Sequence, residues 1–262
     1  MGDDLAAIRH RFGPEELAPL LATEGVDRTV LVQTVSSLDE TREFLATAES
    51  TDFVAGVVGW VDLADPSVGD TLAGLRSGGG GSYLVGIRHQ VHDEPDPRWL
   101  LRSDVQRGVH AVGDLGLVYD LLVRTRELPA AVEVARRFPD MRFVLDHIGK
   151  PRIAAGPRDS EWERDMAPLA DCANVYCKLS GMVTEARWSD WTPDDLQPYI
   201  SRALDWFGAD RCMFGSDWPV CLLAADYGRV IRALKLAIND LDSDAKDAVL
   251  GVNAARVYRL SR

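Results

Sequence analysis

The stretch Phe143-Val-Leu-Asp-His-Ile-Gly-Lys-Pro151 decides the fold. Three apolar strand-formers, Phe143 to Leu145, lead into Asp146 and His147, and Gly149 and Pro151 then stop the strand. A short continuous apolar run marks a strand buried on both faces, as in a parallel sheet covered by helices. His147 then stands at the C-terminal end of that strand, where α/β barrels keep their chemistry. Arg211-Cys-Met-Phe-Gly-Ser-Asp-Trp-Pro219 has the same design. Cys212 to Phe214 make the strand, Gly215 lets the chain bend, and Asp217 is presented beyond it. Tyr83-Leu-Val-Gly-Ile-Arg-His89 is a third case, ending in Arg88 and His89.

The rest of the chain alternates strand and helix around these three segments. Further strands are expected at Thr29–Thr34, Phe53–Val61, Gly116–Leu122 and Asn174–Ser180. Helical patterns fall at Pro14–Glu24, Leu38–Ala48, Pro66–Leu75, Trp99–Val109, Leu128–Phe138, Pro193–Phe207, Tyr227–Ile238 and Asn253–Leu260. Ser160 with Glu163 reads as a capping box. Thr192 reads as an N-cap with Pro193 at the first helical position. Strand starts lie roughly 25–35 residues apart, the length of a βαβ unit. The pattern predicts one α/β domain over residues 1–262, a TIM-barrel-like parallel sheet with seven recognisable strand–helix units. The run Ser77-Gly-Gly-Gly-Gly-Ser82 precedes a strand and lacks a following Lys-Ser/Thr, so it reads as a connector and not a phosphate cradle.

Composition narrows the function. The chain has 262 residues, 46% of them hydrophobic, which suffices for one large core. A net charge of -12 argues against nucleic acid and anionic membranes as partners. The four cysteines, Cys172, Cys177, Cys212 and Cys221, form no CxxC pair and read as buried reduced thiols. Met1-Gly-Asp-Asp4 does not resemble a signal peptide, and a cytoplasmic location is expected.

Three strands ending in His, Arg and Asp would converge on one mouth of a barrel. His147 and Asp217 are the candidate catalytic pair. Each has a plainer reading: His147 as a core histidine satisfied by Asp146, and Asp217 as the cap of the next helix. Arg88 suits a carboxylate clamp or oxyanion stabiliser, or else a buried ion pair. His89 and His92 are weaker candidates, because one of two neighbouring strand residues must face away. Tyr119, embedded in the fourth strand, Lys150 and Trp218 join the candidate substrate contacts. Trp188 and Trp191 either wall the pocket or pack the core. His10 and His110 look incidental.

Several segments resemble one known family: Val57-Val-Gly-Trp-Val-Asp62, Val85-Gly-Ile-Arg-His89, Asp93-Glu-Pro-Asp-Pro97, Val144-Leu-Asp-His-Ile-Gly-Lys-Pro151, Val175-Tyr-Cys-Lys-Leu-Ser-Gly181 and Met213-Phe-Gly-Ser-Asp-Trp-Pro-Val220. The chain resembles the amidohydrolase superfamily, in its branch of sugar-lactone and pyrone-lactone hydrolases, and looks most like the L-fuconolactonase group. The resemblance implies a distorted TIM barrel that opens lactone rings with water. Asp217 would activate the water or hold a metal, and His147 and Arg88 would polarise or orient the lactone carbonyl. One divalent metal, most readily zinc, would use His147 and Asp217. A barrel that binds a sugar acid or protein partner without catalysis, and a decarboxylase or amide hydrolase of the same superfamily, are the alternatives.

The family's first strand ends in a His-x-His pair, and no such pair occurs here. The expectation is therefore a chain that starts after that strand, with poor metal affinity. It leaves an edge at Thr29–Thr34 and another at Cys212–Ser216. Either the N-terminal residues, a neighbouring subunit in a homo-oligomer, or direct pairing of the two edges would cover them.

Overall fold

The computed structural model describes residues 3–260. Seven parallel strands form one curled sheet in sequence order: β1 (Thr29–Val32), β2 (Val54–Gly59), β3 (Leu84–His89), β4 (Val118–Leu121), β5 (Phe143–Leu145), β6 (Val175–Leu179) and β7 (Cys212–Phe214). Helices separate successive strands, giving a TIM-barrel-like α/β fold. All seven expected strands exist, most of them one to three residues shorter than their apolar runs. β3 matches its expected limits, while β5 stops before Asp146 because the chain there turns sharply.

Alternation along the strands builds two cores. Val57, Ile87, Tyr119, Phe143, Leu145, Cys177 and Leu179 face outward and pack on helix residues such as Val109, Leu128 and Ile200. Val58, Val118, Val144 and Met213 face the hollow of the sheet. Val257 and Tyr258, near the C-terminus, fill that hollow. Arg142 fixes this segment by donating from Nη1 to the Val257 carbonyl at 3.0 Å.

β1 and β7 do not pair with each other among the described residues. Within the chain, the cover on β7 is neither the N-terminal residues nor direct pairing with β1. It is the C-terminal part of the chain, Ala248–Val252 in a π-helical turn and Asn253–Val257, which packs against β7. Asn253 donates from Nδ2 to the carbonyls of Ala209 and Cys212, both at 2.7 Å. The second of these belongs to β7 itself. An edge strand needs its backbone groups satisfied, and a side-chain amide does this without another strand. β1 stays half-buried along its length. The N-terminal turn Asp3–Ile8 packs on Val220–Leu223, just after β7, and helix Pro14–Glu24 packs on helix Tyr227–Ala237.

Two local expectations change. The helix Ser160–Ala170 is capped by Asp159 and not by Ser160: Asp159 Oδ1 accepts from the Trp162 amide at 3.3 Å. Arg152 grips the same carboxylate. A carboxylate pre-positioned by a guanidinium is a better cap than a free hydroxyl at a helix N-terminus. The segment expected as one helix from Trp99 splits into Trp99–Leu101 and Ser103–Asp114. Thr192 caps its helix as expected, in a box with Asp195. Among the described residues no helix is long and apolar enough to cross a membrane.

Candidate active site

Beyond β5 the chain enters the left-handed region for four residues running. His147 has φ 54°, Ile148 46°, Gly149 70° and Lys150 51°. Left-handed backbone is uncommon for any non-glycine residue and a genuine outlier for a β-branched one such as Ile148. Such a turn persists only where its surroundings over-determine it. Here Trp162 Nε1 donates to the Ile148 carbonyl at 2.6 Å, and the Lys150 amide donates to the His147 carbonyl at 2.8 Å. Asp217, beyond β7, is also left-handed, at φ 56°.

The two turns bring His147 and Asp217 face to face. His147 Nε2 lies 3.8 Å from Asp217 Oδ1, and the two side chains are 10% and 16% exposed. That separation is too long for a hydrogen bond, so both groups keep a free valence towards the mouth. The other ring nitrogen, Nδ1, is 2.9 Å from Ser180 Oγ, at the end of β6. His147 is therefore not satisfied by Asp146. Burial is the largest influence on its imidazole and pushes its pKa down, against the pull of Asp217 and Asp146. Asp217 is not a helix cap either: the turn Val220–Leu223 begins at Pro219, and the Asp217 carbonyl, not its carboxylate, accepts from the Cys221 amide.

Below this pair lies a buried charge cluster that sequence reasoning did not assemble. Arg88 Nη1 donates to Asp146 Oδ2 at 2.8 Å. Arg88 Nη2 donates to the Gln33 carbonyl, and Gln33 Nε2 returns a bond to the Arg88 carbonyl. Lys178 Nζ sits 2.7 Å from Asp146 Oδ1 and 2.6 Å from Asp120 Oδ2. The Tyr258 hydroxyl donates to the Asp120 carboxylate. Two cations and two anions balance, which is how charges survive burial. Burial raises the Asp120 carboxyl to about 6, and neighbouring Asp146 adds to the rise while Lys178 opposes it. Burial pushes Asp146 up as well, but Lys178, Arg88 and His147 together outweigh it and hold that carboxyl well below its ordinary range. Burial also lowers Lys178, yet Asp120 and Asp146 prevail and raise it.

The remaining candidates divide by direction. Lys150 pairs with Glu185 at 3.2 Å and stays 18% exposed, three residues from His147. Trp218 adjoins Asp217 and receives the Phe12 ring edge-on at 5.2 Å. Trp188 is 36% exposed beyond β6 and donates from Nε1 to the Thr184 carbonyl. His89 and Tyr119 do not face the mouth. His89 stacks on Trp99, accepts from Trp60 Nε1 at 3.0 Å and meets Glu94 at 2.7 Å, so both ring nitrogens are engaged. Tyr119 lies fully buried in the outer core, edge-on to Phe143. Strand alternation explains both, since Arg88 and Asp120 occupy the inward positions beside them. Trp191 is buried, with Arg229 over its ring at 3.9 Å. The His92 side chain is 11% exposed, and its Nδ1 has no hydrogen-bond partner among the described residues.

The donor set does not suit zinc. A catalytic zinc site takes three protein ligands. His147 and Asp217 supply two, and no group of three or more His, Cys, Asp or Glu side chains gathers elsewhere among the described residues. Ser180, Glu185 and the Asp120–Lys178 pair are the site residues that sequence reasoning left without a role. The last pair did carry a signal: charged residues at inward positions of apolar strands have to be paired with each other.

The amidohydrolase family model matches residues 1–260. An L-fucono-1,5-lactonase of Burkholderia ambifaria is 42% identical over 98% of this chain and 89% of its own length. The crystal structure of an amidohydrolase from Burkholderia multivorans, with bound HEPES, superposes with a TM-score of 0.94 at 36% identity, over 99% of this chain and 93% of that one. A second crystal form of an amidohydrolase from that organism, with bound zinc, gives 0.93 at 35% identity over the same shares.

Proposed function

The chain belongs to the amidohydrolase family, and we propose that within it the protein is a lactone hydrolase opening the ring of a sugar-acid lactone. The observation that carries this reading is the facing pair His147 and Asp217, 3.8 Å apart beyond the ends of β5 and β7. Hydrolysis of a lactone needs a base for water and a donor for the carbonyl oxygen. A carboxylate and a neutral imidazole fill those parts.

In this reading water attacks the lactone carbonyl carbon and gives its proton to the Asp217 carboxylate. The carbonyl π bond becomes an oxyanion, held by a hydrogen bond from His147. Collapse of the oxyanion breaks the ring C–O bond, and the departing alkoxide takes the proton back from Asp217. The product is a hydroxy acid, which ionises in solution. The charge-balanced cluster of Arg88, Lys178, Asp120 and Asp146 lies next to His147 in the chain and holds the end of β5 in place. Lys150 with Glu185, and the indoles of Trp218 and Trp188, are the groups proposed to meet the hydroxyls and ring of the substrate. Zinc is bound in one solved relative. With two donors here, every step is assigned to the chain's own residues and none to a metal.

The substrate class follows the relative named for L-fucono-1,5-lactone. The test is ring opening of L-fucono-1,5-lactone and related aldonolactones, followed with a pH indicator, against 2-pyrone lactones. Turnover of an aldonolactone well above the spontaneous rate is expected. No acceleration with any lactone would overturn the reading in favour of a binding barrel without catalysis.

A further inference from the structure

Ser180 has no part in the chemistry above, yet two glycines are arranged around it. It is 2% exposed and directly follows β6. Gly181, at φ +63°, leaves space for the imidazole: a Cβ there would lie 2.5 Å from both Cγ and Nδ1 of His147. Gly215 leaves space for Ser180 itself, since its Cβ would come within 2.9 Å of the Ser180 Cβ. The three strand ends thus interlock, with β7 yielding to Ser180 and β6 yielding to His147. Neither glycine can carry a side chain without displacing the hydroxyl or the ring.

The direction of the Ser180–His147 bond follows from where protons can go. A hydroxyl has one proton to donate, and a buried donor left unmade is costly. Nδ1 of His147 is the acceptor that the described residues offer Ser180 Oγ. A proton on Nδ1 would turn the ring nitrogen into the donor and strand the hydroxyl proton. The carboxylate of Asp217, on the other side of the ring, also favours an N–H at Nε2 over a lone pair.

We propose that Ser180 is a positioning residue, which donates to Nδ1 and fixes His147 as the tautomer with its proton on Nε2. The consequence for rate rests on the lactonase reading; the tautomer does not. With Nε2–H towards the mouth, His147 is a carbonyl donor, and Asp217 alone receives the water proton.

The test is a long-range proton–nitrogen NMR spectrum of the nitrogen-labelled protein at neutral pH. The His147 signals are assigned by their loss in His147→Gln. Wild type should show a pyrrole-type Nε2 and a pyridine-type Nδ1. Ser180→Ala should shift His147 towards the other tautomer or a mixture. Its kcat should approach the ~100-fold loss seen on removing one oxyanion donor, with KM little changed. Ser180→Cys, a weaker donor of similar size, should fall between. A wild-type His147 with its proton on Nδ1 overturns the proposal even if no variant folds. So does a Ser180→Ala protein that keeps the wild-type tautomer. Failure of every lactone as substrate would overturn the lactonase reading and leave the NMR result to judge this one.

Discussion

Trp162 Nε1 donates to the carbonyl of Ile148 at 2.6 Å, and both residues are buried. The bond ties the helix Ser160–Ala170 to the left-handed turn that presents His147. Trp162→Phe keeps most of the apolar packing and removes the donor. A buried carbonyl left unpaired costs about 1–3 kcal/mol. Urea denaturation should show a loss of that size, and kcat should fall with the loosened turn. Unchanged stability would mean that the carbonyl finds another donor.

Asp217 is the second test of the turn pair. Asp217→Asn preserves shape and removes the base. Folding should survive, because the carboxylate makes no cap and faces His147 at 3.8 Å without a hydrogen bond. The kcat should drop at least ~100-fold, the low end for losing a general base. A variant that opens lactones at the parent rate would remove Asp217 from the mechanism.

The sequence exposes the strands and conceals their partners. Phe143 to Leu145 could be read as a buried strand because continuous apolar runs have few other uses in a soluble fold. The same logic placed Asp217 and His147 at strand ends. It could not reveal that four residues after β5 are left-handed, since Ile148 and Lys150 are residue types that do not favour it. The bond from Trp162, distant in sequence, joins the local Lys150–His147 bond in holding them. Nor could periodicity show that Tyr258, well over a hundred residues away, reaches Asp120. Its hydroxyl answers a charge buried inside the curl, and such pairing is set by the closed shape of the sheet. The edge at β7 was visible, but its cover was not, because Asn253 meets it with a side chain and not with a strand pattern.

Arg88 tests the buried cluster. Its guanidinium serves two partners at once, Asp146 and the Gln33 carbonyl. Arg88→Lys keeps the charge but cannot reach both, because an ammonium is a point donor. Part of the cost of an unpaired buried group should appear, about 1–3 kcal/mol in chemical denaturation. Arg88→Met should cost more, about 3–5 kcal/mol, because Asp146 then keeps one cation in place of two. If Arg88→Lys leaves stability unchanged and weakens substrate binding alone, the guanidinium belongs to substrate recognition.

His92 supplies a pH signature. Burial lowers its pKa from 6.5 to about 4; Lys150 and Arg124 add to the fall, and Asp93 opposes it. The folded value is below the unfolded one, so the unfolded chain binds more protons between pH 6.5 and about 4. The stability that comes from keeping this ring neutral is then complete above the unfolded pKa and is lost as pH falls through the folded one. His92→Asn cannot take up that proton. Unfolding free energies of wild type and variant should differ by a constant amount above pH 6.5, and the comparison should turn against wild type towards pH 4. Other titrating groups are common to both proteins and cancel. A difference that stays flat across the window would place His92 in water, with an ordinary imidazole.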